Sequence, residues 1–153
     1  MKDIQITDFT DPDFTAAFKE YFREVGMIFE DWDVLFNEMN NEELDGYKGQ
    51  GYVRYSDNGN VIGFIQFIPI KMTNWFLNEK LGFIRELWIS GEYRKMGHAT
   101  DLLRLAEQYF IDMDIRKIVL TADTASDFYG KCGYRKDLNI TALNNLDVFI
   151  KEL

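Results

Sequence analysis

The sequence predicts an α/β fold: a central mixed, mostly antiparallel sheet of six to seven strands with about four helices, in the order β-α-α-β-β-β-α-β-α-β-β. Three observations predict it. Apolar residues recur at helical spacing in two segments before residue 45 and in one after residue 98. Between these the texture is extended, with residues 52–56 and 61–70 joined by Asp57-Asn58-Gly59-Asn60, a strong hairpin signal. The last helical segment is followed closely by an apolar stretch at 115–121, the layout of a strand–helix–strand unit with parallel neighbours.

The elements follow in order. Ile4, Ile6 and Phe9 give a short, roughly alternating first strand. Thr10-Asp11-Pro12 opens a helix with a capping side chain, then a proline whose missing N–H costs nothing there. Phe14, Ala17, Phe18, Tyr21 and Phe22 form one apolar helical face, ending at Gly26. Trp32, Leu35, Phe36 and Met39 repeat the period, which predicts a second helix over 31–44. Pro69 cannot donate to a ladder and is expected at a strand end or a bulge. A loop at 73–80 leads to a buried strand at 83–90. Ala99, Leu102, Leu103, Ala106, Phe110 and Met113 make the clearest amphipathic helix. Thr124 is expected to cap a short helix running to Lys131, closed by Gly133, and two strands finish the chain, the better one at 146–150. No linker or repeat interrupts 1–153, so one domain is expected.

Composition excludes several classes. The net charge is −9, and it is unevenly placed: residues 1–50 carry 4 basic and 13 acidic side chains, residues 51–153 carry 13 of each. A chain this acidic is not expected to bind nucleic acid or an anionic membrane, because both need a cationic face. One cysteine, Cys132, makes no internal disulfide, and one histidine, His98, leaves no Cys/His metal cluster, so no metal is expected. The start of the chain lacks the apolar stretch of a signal peptide, and the apolar run at 61–70 falls far short of the about 20 residues of a membrane span. The expectation is a soluble, cytoplasmic protein.

The segment that carries chemistry is Phe83-Ile84-Arg85-Glu86-Leu87-Trp88-Ile89-Ser90-Gly91-Glu92-Tyr93-Arg94-Lys95-Met96-Gly97-His98-Ala99. A buried strand enters a loop with a basic pair and a glycine, and the loop opens directly onto a long helix. Helix-start N–H groups lack internal partners and carry partial positive charge, so they attract an anion. Gly97 lets the backbone approach closely, and Arg94 and Lys95 add charge. The loop is not a Walker loop, which ends in G-K-[ST], nor a dinucleotide fingerprint, which needs three glycines.

A second segment follows about 25 residues on: Ala125-Ser126-Asp127-Phe128-Tyr129-Gly130-Lys131-Cys132-Gly133-Tyr134. The series strand, Arg-x-x-Gly-x-Ala, helix, strand, Ala-x-x-Phe-Tyr-x-x-x-Gly-Tyr resembles the GCN5-related N-acetyltransferase (GNAT) superfamily, in the manner of a small bacterial-type single-domain member. The two motifs cover 83–135, and the preceding strand–helix–helix–hairpin order is similar to the family's N-terminal half.

The resemblance implies that acetyl-CoA, as co-substrate, lies where strands 83–90 and 115–121 splay apart. Backbone groups of Leu87, Trp88 and Ile89 would pair with its pantetheine arm, as an added strand does. Its diphosphate would sit on the loop of Arg94, Lys95, Met96, Gly97, His98, Ala99 and Thr100. Tyr129 matches the family tyrosine that protonates the departing thiolate, a feasible transfer between a phenol of pKa about 10 and a thiol of about 8.5. The acceptor amine must lose a proton before it attacks, and Glu86, beside the thioester site, is the candidate base. Simple alternation places Glu86 on the face of Ile84 and Trp88, opposite Leu87 and Ile89. An ion pair of Glu86 with Arg85 or Arg54 is the competing reading. Departures from the family pattern are Gly91 for the usual proline, Lys95 for the second arginine or glycine, and Ala122 for a polar residue that Thr121 or Thr124 could replace. His98 is expected to be exposed near the phosphates, and Cys132 to pack as a small hydrophobe.

In relatives the first two helices wall the acceptor pocket. Here that region holds Phe29, Asp31 and Trp32 within an acidic stretch lacking any basic residue from 28 to 45. A negative, aromatic-lined pocket favours a cationic amine on a small molecule or a peptide. The same acids read equally well as the solvated face of two helices. The expected function is direct, base-assisted acetyl transfer from acetyl-CoA to a primary amine by a monomer or homodimer. The rival readings are a noncatalytic acyl-CoA-binding regulatory module of the same fold and an unrelated α/β nucleotide-binding domain.

Overall fold

A computed structural model describes residues 1–73 and 78–153 of the chain. Strand β1 (Lys2–Ile6) leads into helix α1 (Pro12–Glu24), whose start is set by Asp11: its carboxylate accepts from the amides of Asp13 and Phe14. Pro12 occupies the first turn, where no donor is missed. Helix α2 (Trp32–Asn41) is shorter than the predicted 31–44. The chain leaves it for a two-stranded ribbon, β2 (Glu43–Leu44) and β3 (Tyr47–Lys48), turned by Asp45 at φ 54° and Gly46 at φ 85°. Asp-Gly with both residues left-handed is a tight hairpin turn, and in an acidic stretch it is easily read as a helix end.

The main sheet adds β4 (Gln50–Tyr55), β5 (Val61–Thr73), β6 (Asn78–Ile89), β7 (Lys117–Ala122), β8 (Arg135–Lys136) and β9 (Asp147–Glu152), in the order β1-β4-β5-β6-β7-β9-β8. Among the described residues every neighbouring pair is antiparallel except β6 and β7. Helix α3 (His98–Asp112) connects that parallel pair, and α4 (Ser126–Lys131) follows β7. The expected fold class is therefore the observed one: α/β, four helices, a seven-stranded mixed sheet.

Several boundaries differ from expectation. β5 and β6 keep pairing through much of the expected 73–80 loop, at Lys71 with Lys80 and Thr73 with Asn78, and residues 74–77 lie outside the described residues. Pro69 sits inside β5, opposite Gly82, rather than at its end. β4 has already stopped, its last partner on β5 being Phe67, so the missing donor interrupts no ladder on that side. Thr124 caps no helix, since α4 begins after Ala125. Gly133 does close it, at φ 92°.

The sheet separates two cores of different texture. On the α1–α2 face, Phe9, Phe14, Phe18, Phe36, Phe64 and Trp88 form an aromatic cluster. On the α3–α4 face, aliphatic residues such as Ile65, Ile84, Leu102, Leu103, Ile118 and Leu120 surround Phe67 and Phe110. β6 and β7 pair only at Gly82 with Ile118 and at Phe83 with Val119. A Cβ on Gly82 would fall 2.5 Å from the Phe110 ring, so glycine is what lets α3 lie this close. Beyond Phe83 the two strands separate, and the site lies in that separation.

Candidate active site

The register of β6 against β5 shifts in mid-strand: Ile84 faces Phe67, Glu86 faces Gln66, and Arg85 is the extra residue. The bulge corrects the simple alternation. Ile84 packs with Leu87 and Ile89 on the α3 face, whereas Trp88 packs on the α1 face and Glu86 turns toward Tyr21 of α1. Neither arginine proposed as its partner pairs with Glu86: Arg85 pairs with Glu42, and Arg54 with Asp3 and Asp101. Burial pushes the Glu86 carboxyl above the ordinary range, and the neighbouring Tyr21 hydroxyl and Arg85 only partly pull it back.

Tyr129 enters from α4, buried against Phe128, Tyr134 and Phe149, with a ring-centroid distance of 5.8 Å to Tyr134. Burial, then the negative charge of Glu86, then Cys132 push its hydroxyl up to about 12, so it holds its proton at neutral pH. Tyr21 is pushed up too, by burial first and then by Glu86. Two phenols and one carboxyl from three elements thus share one electrostatic site.

The cleft beside Tyr129 has a volume of about 260 Å³ and is lined by Leu87, Trp88, Ile89, Arg94, Ala99 and Phe128 among others. Main-chain direction follows from pairing. Ser90 N–H donates to the Ile62 carbonyl at 2.8 Å, so Ser90 and, two residues back, Trp88 turn their backbone groups toward β5. Leu87 and Ile89 turn theirs the other way, toward the separation. Of the three residues expected to offer main-chain groups to a ligand, Trp88 therefore does not; it contributes its side-chain surface only. The Ile89 carbonyl is already taken by Arg94 Nε at 2.9 Å, which leaves the Ile89 N–H and both groups of Leu87.

The loop then turns through a 3₁₀ segment (Gly91–Tyr93), with Lys95 at φ 62° and Gly97 at φ 88° just before α3. The first helical bond runs from Asp101 N–H to the Gly97 carbonyl at 3.1 Å, so the amides of His98, Ala99 and Thr100 stand ahead of it, unpaired within the helix. Lys95 and Met96 are exposed. Arg94 is held elsewhere than expected: besides the Ile89 carbonyl it pairs with Glu24, which also accepts from Trp88 Nε1 at 3.1 Å. His98 is half-buried rather than exposed, its Nδ1 lying 3.2 Å from Arg54 Nη1. Thr121 is engaged by Asn144 at 3.1 Å. Cys132 packs at the edge of the α3–α4 core, as expected of a small hydrophobe.

The expected acceptor wall comes together only in part. Phe29 meets Trp32 at 5.5 Å, and Trp32 stacks on Phe36 at 5.9 Å as part of the aromatic core. A groove of about 240 Å³ runs beside them, but the charged residues lining it are Lys19 and Arg23, not acids. Asp31 is exposed at the start of α2, and Asp33 and Glu38 are exposed with it. The acids are mainly a solvated face. Tyr21 and Glu24, which no sequence motif singles out, place polar groups against Glu86 and against Trp88 and Arg94. Their one sequence signal is a hydroxyl on α1's apolar stripe and a carboxylate one turn on.

A mixed sheet whose one parallel pair separates beside the start of a long helix is the architecture of the GNAT acetyltransferase fold. The chain matches the model of the acetyltransferase (GNAT) family over residues 4–134 and belongs to that family. No curated protein matches it in sequence. Among solved structures it is similar in fold to the NatC complex bound to Gag peptide and CoA, at 20% identity, 100% of this chain and 99% of that one, TM-score 0.63. NAA60 from Arabidopsis thaliana in complex with a bisubstrate analogue matches at 14% identity, 99% of each chain, TM-score 0.64. A GNAT-family acetyltransferase from Staphylococcus aureus matches at 15% identity, 99% of each chain, TM-score 0.66.

Proposed function

We propose that the protein transfers an acetyl group from acetyl-CoA directly to a primary amine of a small molecule or peptide. The observation that carries this reading is the meeting of Tyr129 and Glu86 at the mouth of the β6–β7 separation, with unspent main-chain groups of Leu87 and Ile89 alongside. A pantetheine arm would extend along Leu87 and Ile89 as a short added strand. The diphosphate would lie on the amides of His98, Ala99 and Thr100, with Lys95 supplying the exposed positive charge and Met96 and Gly97 the approach. An adjoining groove of about 270 Å³, lined by Thr100, Arg104 and Lys131 among others, suits the adenosine end.

Acetyl-CoA supplies an activated acyl group when bound. Glu86, whose carboxyl burial raises above the ordinary range, would take a proton from an incoming ammonium. Tyr129 keeps its proton until a thiolate leaves and then donates it to the sulfur. Glu86, with Glu24 beside it shared with Arg94, gives the acceptor side a negative character, and the neutral Tyr21 hydroxyl adds a polar group; both favour an amine that arrives charged. The peptide bound to the NatC neighbour supports a peptide amine as one acceptor class.

The test is to mix protein, acetyl-CoA and a panel of polyamines, aminoglycosides and short peptides while following free thiol. Thiol release with one amine class and a matching acetylated product is the expected result. Tight acetyl-CoA binding without turnover on any amine and without slow hydrolysis would make the protein a binding module instead.

A further inference from the structure

One buried cation lies outside the chemistry described so far. Arg54, in β4, is 5% exposed. Its Nε and Nη2 donate to the two carboxylate oxygens of Asp3 in β1 at 2.7 and 2.9 Å. Its Nη1 donates to Asp101 Oδ2 at 2.8 Å and lies 3.2 Å from His98 Nδ1. Asp101 and His98 belong to the first turn of α3, so a guanidinium rooted in the sheet reaches the turn whose free amides form the anion site.

The charges there conflict without Arg54. A carboxylate in the first turn stabilises a helix through its dipole but repels an anion bound at the same end. Asp101 has that position, with its side chain 45% exposed. Arg54 faces it from within the fold, where screening by solvent is weakest, and, with its one positive charge divided between Asp3 and Asp101, offsets part of it. Arginine can only donate, so His98 Nδ1 accepts and the ring's N–H is Nε2, on the side away from Arg54. We propose that Arg54 is a positioning residue for the diphosphate of the acyl donor: it anchors the first turn of α3, orients His98 as an outward donor and offsets Asp101. The inference rests on the acetyl-CoA reading above. No loop motif contains this residue, since it sits in a strand well upstream.

The test titrates CoA into the unaltered protein and into Arg54→Met, Asp101→Asn and the double variant, at low and moderate salt, with the melting temperature of each recorded. Arg54→Met weakens CoA about tenfold, a change of about 1.4 kcal/mol. Asp101→Asn tightens CoA about threefold and more so at low salt, a direction that damage to the fold cannot produce. Adding Asp101→Asn to Arg54→Met recovers most of the lost affinity. Unchanged CoA affinity in Arg54→Met, or unchanged or weaker affinity in Asp101→Asn, overturns the role of Arg54. If Arg54→Met does not fold, the Asp101→Asn titration decides alone. Failure of the unaltered protein to bind CoA overturns the functional reading itself, and this inference with it.

Discussion

The two walls of the cleft are built from different groups. The β6–α3 wall offers main chain: the groups of Leu87 and Ile89 that face away from β5, and the amides ahead of the first helical bond of α3. The α1 wall offers side chains: Tyr21 and Glu24, facing Glu86 and Trp88. Main-chain recognition asks only for a strand that diverges, a glycine and a helix start, and it tolerates most changes of side chain. Side-chain recognition depends on which residues a helix face and a bulge happen to present. On the proposed function the first wall would serve one cofactor across many sequences, while the second would choose the acceptor.

The strongest way to break the first wall is to alter its glycine. Gly97→Glu adds a carboxylate next to the helix-start amides and forces a side chain to φ 88°, with nothing within 4 Å of the added Cβ. CoA affinity should fall at least about 100-fold through charge repulsion at the anion site, while the melting temperature drops only by the modest strain of a left-handed non-glycine residue. Titration calorimetry and a melting curve separate the two. Retained binding would remove the diphosphate from this loop.

Tyr129→Phe probes where the walls meet. The phenol is buried and protonated, and its ring packs on Tyr134 and Phe149, so Phe should preserve the packing. Turnover should drop about 10²- to 10⁴-fold, the usual contribution of a positioned acid, with CoA affinity within about twofold of the unaltered protein. Full turnover would mean that water protonates the thiolate.

This division also explains what could be read in advance. The succession of helices and strands along the chain and the helix-start loop follow from period and spacing, because Gly97 and the apolar faces of α1 and α3 are local signals; Tyr129 stands out only through the resemblance to the family. The facing of Glu86 relative to Ile84 was not legible: the bulge at Arg85 arises from pairing with β5, a long-range event that leaves no mark in the local pattern. The direction of Trp88's backbone was hidden for the same reason. The need for glycine at position 82 arises from Phe110 of α3 lying against it, a contact that no local pattern announces. The acidic excess of residues 1–50 looked like one surface, yet folding disperses it. Asp3 goes to Arg54, Glu20 to Arg23, Glu24 to Arg94 and Glu42 to Arg85, Asp11 caps α1, and most of the others are exposed.

Glu86→Gln sharpens the comparison by separating stability from chemistry. With Glu86 as the proposed base, activity should fall as pH drops through its raised pKa, and that acid limb should vanish in the variant. At neutral pH turnover should fall about 10- to 100-fold. Stability should move the other way. Because burial raises the folded-state pKa above the unfolded one, the fold favours the neutral carboxyl, a contribution fully present below the unfolded pKa and lost as pH rises through the folded one. The glutamine variant should therefore melt higher than the unaltered protein at pH 7 and alike below about pH 4. Equal melting at both pH values would place Glu86 in a solvated position unsuited to a base.

The smallest effect is expected from the face that charge arithmetic first recommended as the acceptor wall. Asp31, Asp33 and Glu38 are exposed, and the groove beside Phe29 and Trp32 is lined by Lys19 and Arg23 instead. Neutralising all three as Asp31→Asn, Asp33→Asn and Glu38→Gln should leave the KM for the best amine of the panel within about twofold, since solvent and salt screen charges at this remove. Stability should fall by only about 0.3–1 kcal/mol, from the loss of Asp33 in the first turn of α2. A tenfold or larger rise in KM for a polyvalent amine, unmatched for a monovalent one, would extend the side-chain wall from α1 across α2 and make the acidic face a determinant of acceptor choice.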